Sequence, residues 1–306
     1  MKTKPHLPLR TRLVALAALL ALPLHSPAAD FTWNGGGGDG NFSTGLNWVG
    51  GSPAVSDLLN TNLIFGGTLQ LAPIVDSPFS ANVLTFDNTA GAFTFGGSAL
   101  SLGSGGIVNN STNTMTFGNA VSFSGTSSST INAASGGLIF NNTVTLPTGT
   151  LTVSGTGLTQ LSGASASLAI GTGQTLQVNS DFTLDAGAQL THSSGGTVTL
   201  AAGKTMTVQN GGDASFTGDF TNNTTSTITV TGAGSTLSTT GALRFQGGGT
   251  LQADSGASVN TNGGAFTLGS GSASGTATFA NGSSGSFGFI GVNNSATVGS
   301  SGTLTI

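Results

Sequence analysis

Residues 182–184 read Phe182-Thr183-Leu184, and 24 positions further on the order apolar, polar, apolar returns as Met206-Thr207-Val208. Alternation with period two marks a strand with one face buried, and a β-branched Thr at its centre suits the outer, pleated surface. The same short unit stands at Leu84-Thr85-Phe86, Phe93-Thr94-Phe95, Met115-Thr116-Phe117, Val144-Thr145-Leu146, Leu151-Thr152-Val153 and Leu304-Thr305-Ile306. Between the units lie a few Gly, Ser, Asn or Asp, the residues of tight turns.

The spacing of the units carries the fold. Gln177, Thr199, Thr221, Arg244 and Thr267 are 22, 22, 23 and 23 residues apart; a second register runs Thr183, Thr207, Thr229, Gln252, and a third Ala169, Thr191, Ser215, Leu237, Val259. Three strands in a repeat of constant length describe one coil of a three-sided solenoid, each strand pairing in parallel with the strand one coil above at ~4.8 Å. The expectation is an all-β protein, a right-handed parallel β-helix of 22–24 residues per coil over residues 83–306. Its body would hold roughly nine to ten coils at that repeat. Phe182 and Leu184 then point inward and Thr183 outward. The corners need positive φ, which Asn34-Gly35, Asn210-Gly211, Asn262-Gly263 and Asn281-Gly282 supply. Pro147 is the only proline after Pro78, as expected where every N–H serves a ladder.

Composition agrees and excludes several classes. Among 306 residues there are 51 Gly, no Cys, no Tyr and no Glu, and 5% of the chain is charged. Zinc ribbons, iron–sulfur proteins and disulfide scaffolds need cysteine, and helical bundles need Glu and Lys on their wet faces. Lys2, Lys4, Arg10 and Arg12 fall in the first twelve residues, so beyond them two cations, Lys204 and Arg244, face ten Asp, a net charge of 2 − 10 = −8. Such a surface does not neutralise phosphates, which argues against nucleic acid and anionic lipid as partners.

Those four early cations precede the apolar run from Leu13 to Leu24 and the small residues Ser26 and Ala28. The layout is that of a secretory signal peptide over residues 1–28, cleaved after Ala28. The run is shorter than the ~20 residues of a membrane span, so an uncleaved anchor is the weaker reading, and no later segment reads as a span. Residues 29–82 differ from the body. They hold both indoles, Trp33 and Trp48, and three prolines, Pro53, Pro73 and Pro78. They read as an N-terminal cap covering the first coil, with a carbohydrate-stacking platform on the two Trp as the functional alternative.

Phe31-Thr32-Trp33-Asn34-Gly35, Gly45-Leu46-Asn47-Trp48, Pro53, Asp57 and Ile64-Phe65 together resemble the opening of bacterial proteins with autotransporter-associated β-strand repeats, many of which end in a surface-sorting tail. Gly149-Thr150-Leu151-Thr152-Val153-Ser154-Gly155 and Gly302-Thr303-Leu304-Thr305-Ile306 are similar to that repeat's Gly-x-Leu-Thr-Leu core. The family's repeat usually runs on into Asn-Thr-Tyr-x-Gly, whereas this chain has no Tyr, which places its repeats in a degenerate or sister type. No outer-membrane barrel or sorting tail follows, and the last unit sits inside the pattern, leaving truncation at the C-terminus open. The resemblance implies a secreted or surface-displayed parallel β-helix.

Some β-helical proteins cleave polysaccharides, using carboxylates that project side by side from adjacent coils. Counting one coil ahead puts Lys204 over Asp181, Val208 over Asp185 and Ala242 over Asp219, with Asp254 above Thr231. Lys204 over Asp181 is then the only charged stack, and it reads as a modest surface ion pair. His192 reads as an exposed strand-end residue. Gly35-Gly36-Gly37-Gly38-Asp39-Gly40 fits a dinucleotide-binding pattern but opens no helix, and as a calcium-binding repeat it is a single imperfect copy. Glycosylation sequons such as Asn41 and Asn223 occur at the level of chance in so Asn- and Thr-rich a chain. No residues are assigned to catalysis, cofactor or metal. The leading expectation is a secreted or cell-surface, structural or adhesin-like protein without enzymatic activity, its partners cell-surface polysaccharide or other surface proteins. The alternative is a carbohydrate-binding or polysaccharide-degrading β-helix that uses the Trp pair or the region of Asp181 and Asp185.

Overall fold

The computed structural model of the protein describes residues 28–125, 127–269, 274–293 and 296–306. The leader read over residues 1–28 lies outside the described residues except for Ala28. What is described is a β-solenoid of about eleven turns, with one short 3-10 turn at Gly45–Asn47 as its only helical element.

Three faces run the length of the coil stack. The first carries eleven strands, from Ile74–Val75 to Thr297–Ser300. The second runs from Val121–Phe123 to Thr303–Thr305, continuing below into the leading halves of Phe79–Phe86 and Leu100–Asn109. The third runs from Ala29–Trp33 to Phe289–Val292. Every ladder is parallel, and from Val121 onward the chain visits the second, third and first faces in strict rotation.

Alternation places the core as expected. Phe182 and Leu184, Met206 and Val208, and Ile228 and Val230 are all buried, stacked pair upon pair on the first face. Lower in the same interior column Phe95, Phe117 and Phe140 stack at centroid distances of 5.1 and 5.0 Å. Each buried ring contributes roughly 1.5–3 kcal/mol of transfer free energy, so like residues stacked on like give the rod its cohesion. The corners also follow the sequence. Asn210, Asn262 and Asn281 have φ of 51°, 47° and 47°, each followed by a positive-φ Gly.

Two expectations about register and burial are corrected. Ser238, not Leu237, pairs with Ser215, because that coil is 23 residues long and a one-residue slip exchanges the faces; Leu237 is inside. Thr183 points outward by alternation yet is 7% exposed, flanked by Gln160 below and Thr207 above. Within the segment 29–82, Ala29–Trp33 pairs with Asp57–Phe65 and that strand with Phe79–Phe86, all in parallel. These strands add to the nine to ten coils expected of residues 83–306, and the described stack has about eleven turns.

Candidate functional site

The acidic side chains show how the surface is built. From Asp181 onward, each of the five Asp accepts a hydrogen bond from a residue one coil later. Asp181 accepts from the Thr205 N–H (3.0 Å), and Asp185 from the amides of Gln209 (3.3 Å) and Asn210 (2.7 Å) as well as Gln160 (2.9 Å) below it. Asp213 accepts from the Thr236 hydroxyl, Asp219 from the Ala242 N–H (2.7 Å) and Arg244 (2.6 Å), and Asp254 from Asn281 (2.7 Å). These carboxylates act as stitches between neighbouring coils, each accepting at least one hydrogen bond from the coil above.

The charged stack therefore differs from the sequence expectation. Thr205 rather than Lys204 lies over Asp181, and Gln209 rather than Val208 over Asp185. Among the described residues the one ion pair is Arg244–Asp219, with both side chains partly exposed. Arg244, with the Ala242 N–H second, holds the Asp219 carboxyl below its ordinary range. Ala242 over Asp219 and Asp254 above Thr231 are found as expected.

His192 is buried, not exposed. It occupies an inward position between Ile170 below and Phe216 above, its ring 5.6 Å from that of Phe216 and its Nδ1 without a partner. The two indoles are buried as well. Trp33 and Trp48 meet edge to face at 5.1 Å within a cluster that includes Phe42 and Phe65, and the Trp48 Nε1 donates to the Phe42 carbonyl at 2.8 Å. Neither ring offers a face for a sugar, so the stacking platform is overturned. In the glycine tract, Asp39 accepts from Asn41 and Asn47 at its own turn. Among the described residues no cluster of three metal-ligating side chains exists.

One irregularity escaped the sequence. On the third face Thr197–Leu200 pairs only downward and Phe220–Asn222 only upward, so the ladder is interrupted between them. The corner entering the third face shortens at this place from four residues (193–196) to three (217–219). A cleft of about 120 Å³ lies in the gap, walled by Val198, Leu200, Phe220 and Asn222. Thr224 closes one side by donating to the Leu200 carbonyl (3.0 Å), and buried Asn222 is tied to Ser226 by two further bonds. Nothing titratable lines it.

Two outward columns of the first face are uncharged. Successive coils of the first face place Thr205, Thr227, Thr250, Thr276 and Thr297 in one column and Thr207, Thr229, Gln252, Thr278 and Gly299 in the next. These side chains define a class, a β-solenoid with a regular hydroxyl lattice on its side, indented by a depression of about 220 Å³ between Thr229, Gln252, Asp254 and Thr278. Compared with models of protein families, with curated proteins and with solved structures, the chain matches none.

Proposed function

We propose that the protein is an exported structural or adhesin-like scaffold, of the kind that carries autotransporter-associated repeats, whose long faces and not an assembled active site are its working parts. The leader pattern at residues 1–28 supports export, and the aromatic cluster around Trp33 and Trp48 supports a capping role for the first coil. The observation that carries the reading is the use of the carboxylates. Proton transfer needs side chains free to gain and lose a proton beside a substrate. Here the five Asp residues from Asp181 onward are engaged by the coil above, Asp87 accepts from Thr89 of its own turn, and the single His after the leader is inside the core. A stack whose every coil pairs with the next suits a rod that spaces or displays.

The competing reading is a polysaccharide-degrading β-helix. Purified protein offered a panel of polysaccharides should release no reducing sugar. Cleavage that disappears in a folded Asp181→Asn, Asp185→Asn double variant would replace the scaffold reading with the catalytic one. His192 is left intact in that test because its burial would confound loss of activity with loss of fold.

A further inference from the structure

The two Thr columns of the first face form a periodic surface in two directions. Within a column neighbours are one coil apart, about 4.8 Å, and across the columns they are two residues apart along a strand, about 6.7 Å. Eight of the ten positions are Thr, and none of those eight hydroxyls has a protein hydrogen-bond partner among the described residues. Each Thr is stiff at χ1, so hydroxyl and methyl are held in place before any ligand arrives. Neither column carries a charge or an aromatic ring over these five coils.

A soluble sugar chain is usually gripped in a groove by aromatic faces and charged or amide side chains, none of which these two columns provide beyond Gln252. A regular lattice of fixed hydroxyls and methyls, continuous on either side of the depression at Gln252, instead fits a partner that is itself a lattice. The ~4.8 Å repeat within a column lies close to the shorter repeat of oxygen atoms on the prism face of hexagonal ice. We infer that the first face, from Thr205 to Thr297, binds ice: its hydroxyls join the outermost layer of water oxygens and its methyls order the water between them. This goes beyond the scaffold reading and fails separately from it, since the polysaccharide test says nothing about ice.

The experiment is ice-recrystallisation inhibition by the purified full chain, with a fluorescent label to image adsorption on a single ice crystal. The unaltered protein should slow grain growth and coat the prism planes. Thr229→Lys and Thr250→Lys, which put a long cation into the lattice, should abolish both effects. Ser215→Lys and Ser238→Lys, on the second face, should leave them intact. Thr278→Lys, at an exposed position, repeats the test if a mid-column variant does not fold, with circular dichroism confirming the fold of each. An inactive unaltered protein overturns the inference. So does an active one that loses its effect equally through changes to either face, or one whose first face retains crystalline chitin or cellulose and leaves ice growth unchanged.

Discussion

Asp219 shows what a paired charge does on so sparsely charged a surface. Its carboxyl, depressed chiefly by the hydrogen bond from Arg244, binds a proton less readily folded than unfolded. A group with a lowered folded pKa contributes stability that is fully present above its unfolded value, about 3.9, and is lost as pH falls through the lower folded value. Arg244→Gln should therefore move the acid-unfolding midpoint slightly upward, and change stability at neutral pH by at most about 1 kcal/mol given the pair's exposure. Denaturant titrations across the acid range check this. An equal loss at neutral pH and at ~pH 2 would show that the ion pair is not the cause. The stitch itself was only half legible: the 23-residue step from Asp219 to Ala242 follows from spacing, whereas Arg244 reaching back from two residues further on depends on a side-chain conformation no spacing encodes.

Strands test the alternation that made the fold readable. Leu184 is fully buried beneath Val208, and Leu184→Asp should destabilise the protein by at least about 3 kcal/mol, because an unpaired carboxylate enters a stacked apolar column. Thr207→Asp, one coil up and outward, should cost no more than about 1 kcal/mol. Thr183 is the wrong partner for this comparison, since its neighbours cover it. Chemical denaturation of both variants checks the contrast, and equal sensitivity would mean that the inward and outward assignment is wrong. The strands were legible because apolar residues report their own direction. His192, Asn222 and Ser226 were not, because polar residues carried inward by alternation look in the sequence like residues left outside. Register was legible to within one residue, and the slip at Leu237 marks the limit: corners that lengthen or shorten by one residue preserve the average period while exchanging faces.

At the scale of the molecule, the central claim is a straight succession of parallel coils, each residue of a face standing over its equivalent. The chain has no cysteine, so paired spin labels can be placed without background. On the first face Thr116, Ile139, Gln160, Thr183, Thr207, Thr229, Gln252 and Thr278 follow one another coil by coil, so Thr116 and Thr207 are four steps apart and Thr116 and Thr278 seven. Pulsed electron paramagnetic resonance on Thr116→Cys/Thr207→Cys and Thr116→Cys/Thr278→Cys should give narrow distance distributions separated by three coil rises, with means near about 19 and about 34 Å before allowance for the label arms. Distances that fail to grow with coil number, or a distribution for the longer pair as broad as that of an unfolded chain, would contradict the solenoid and every surface argument built on it.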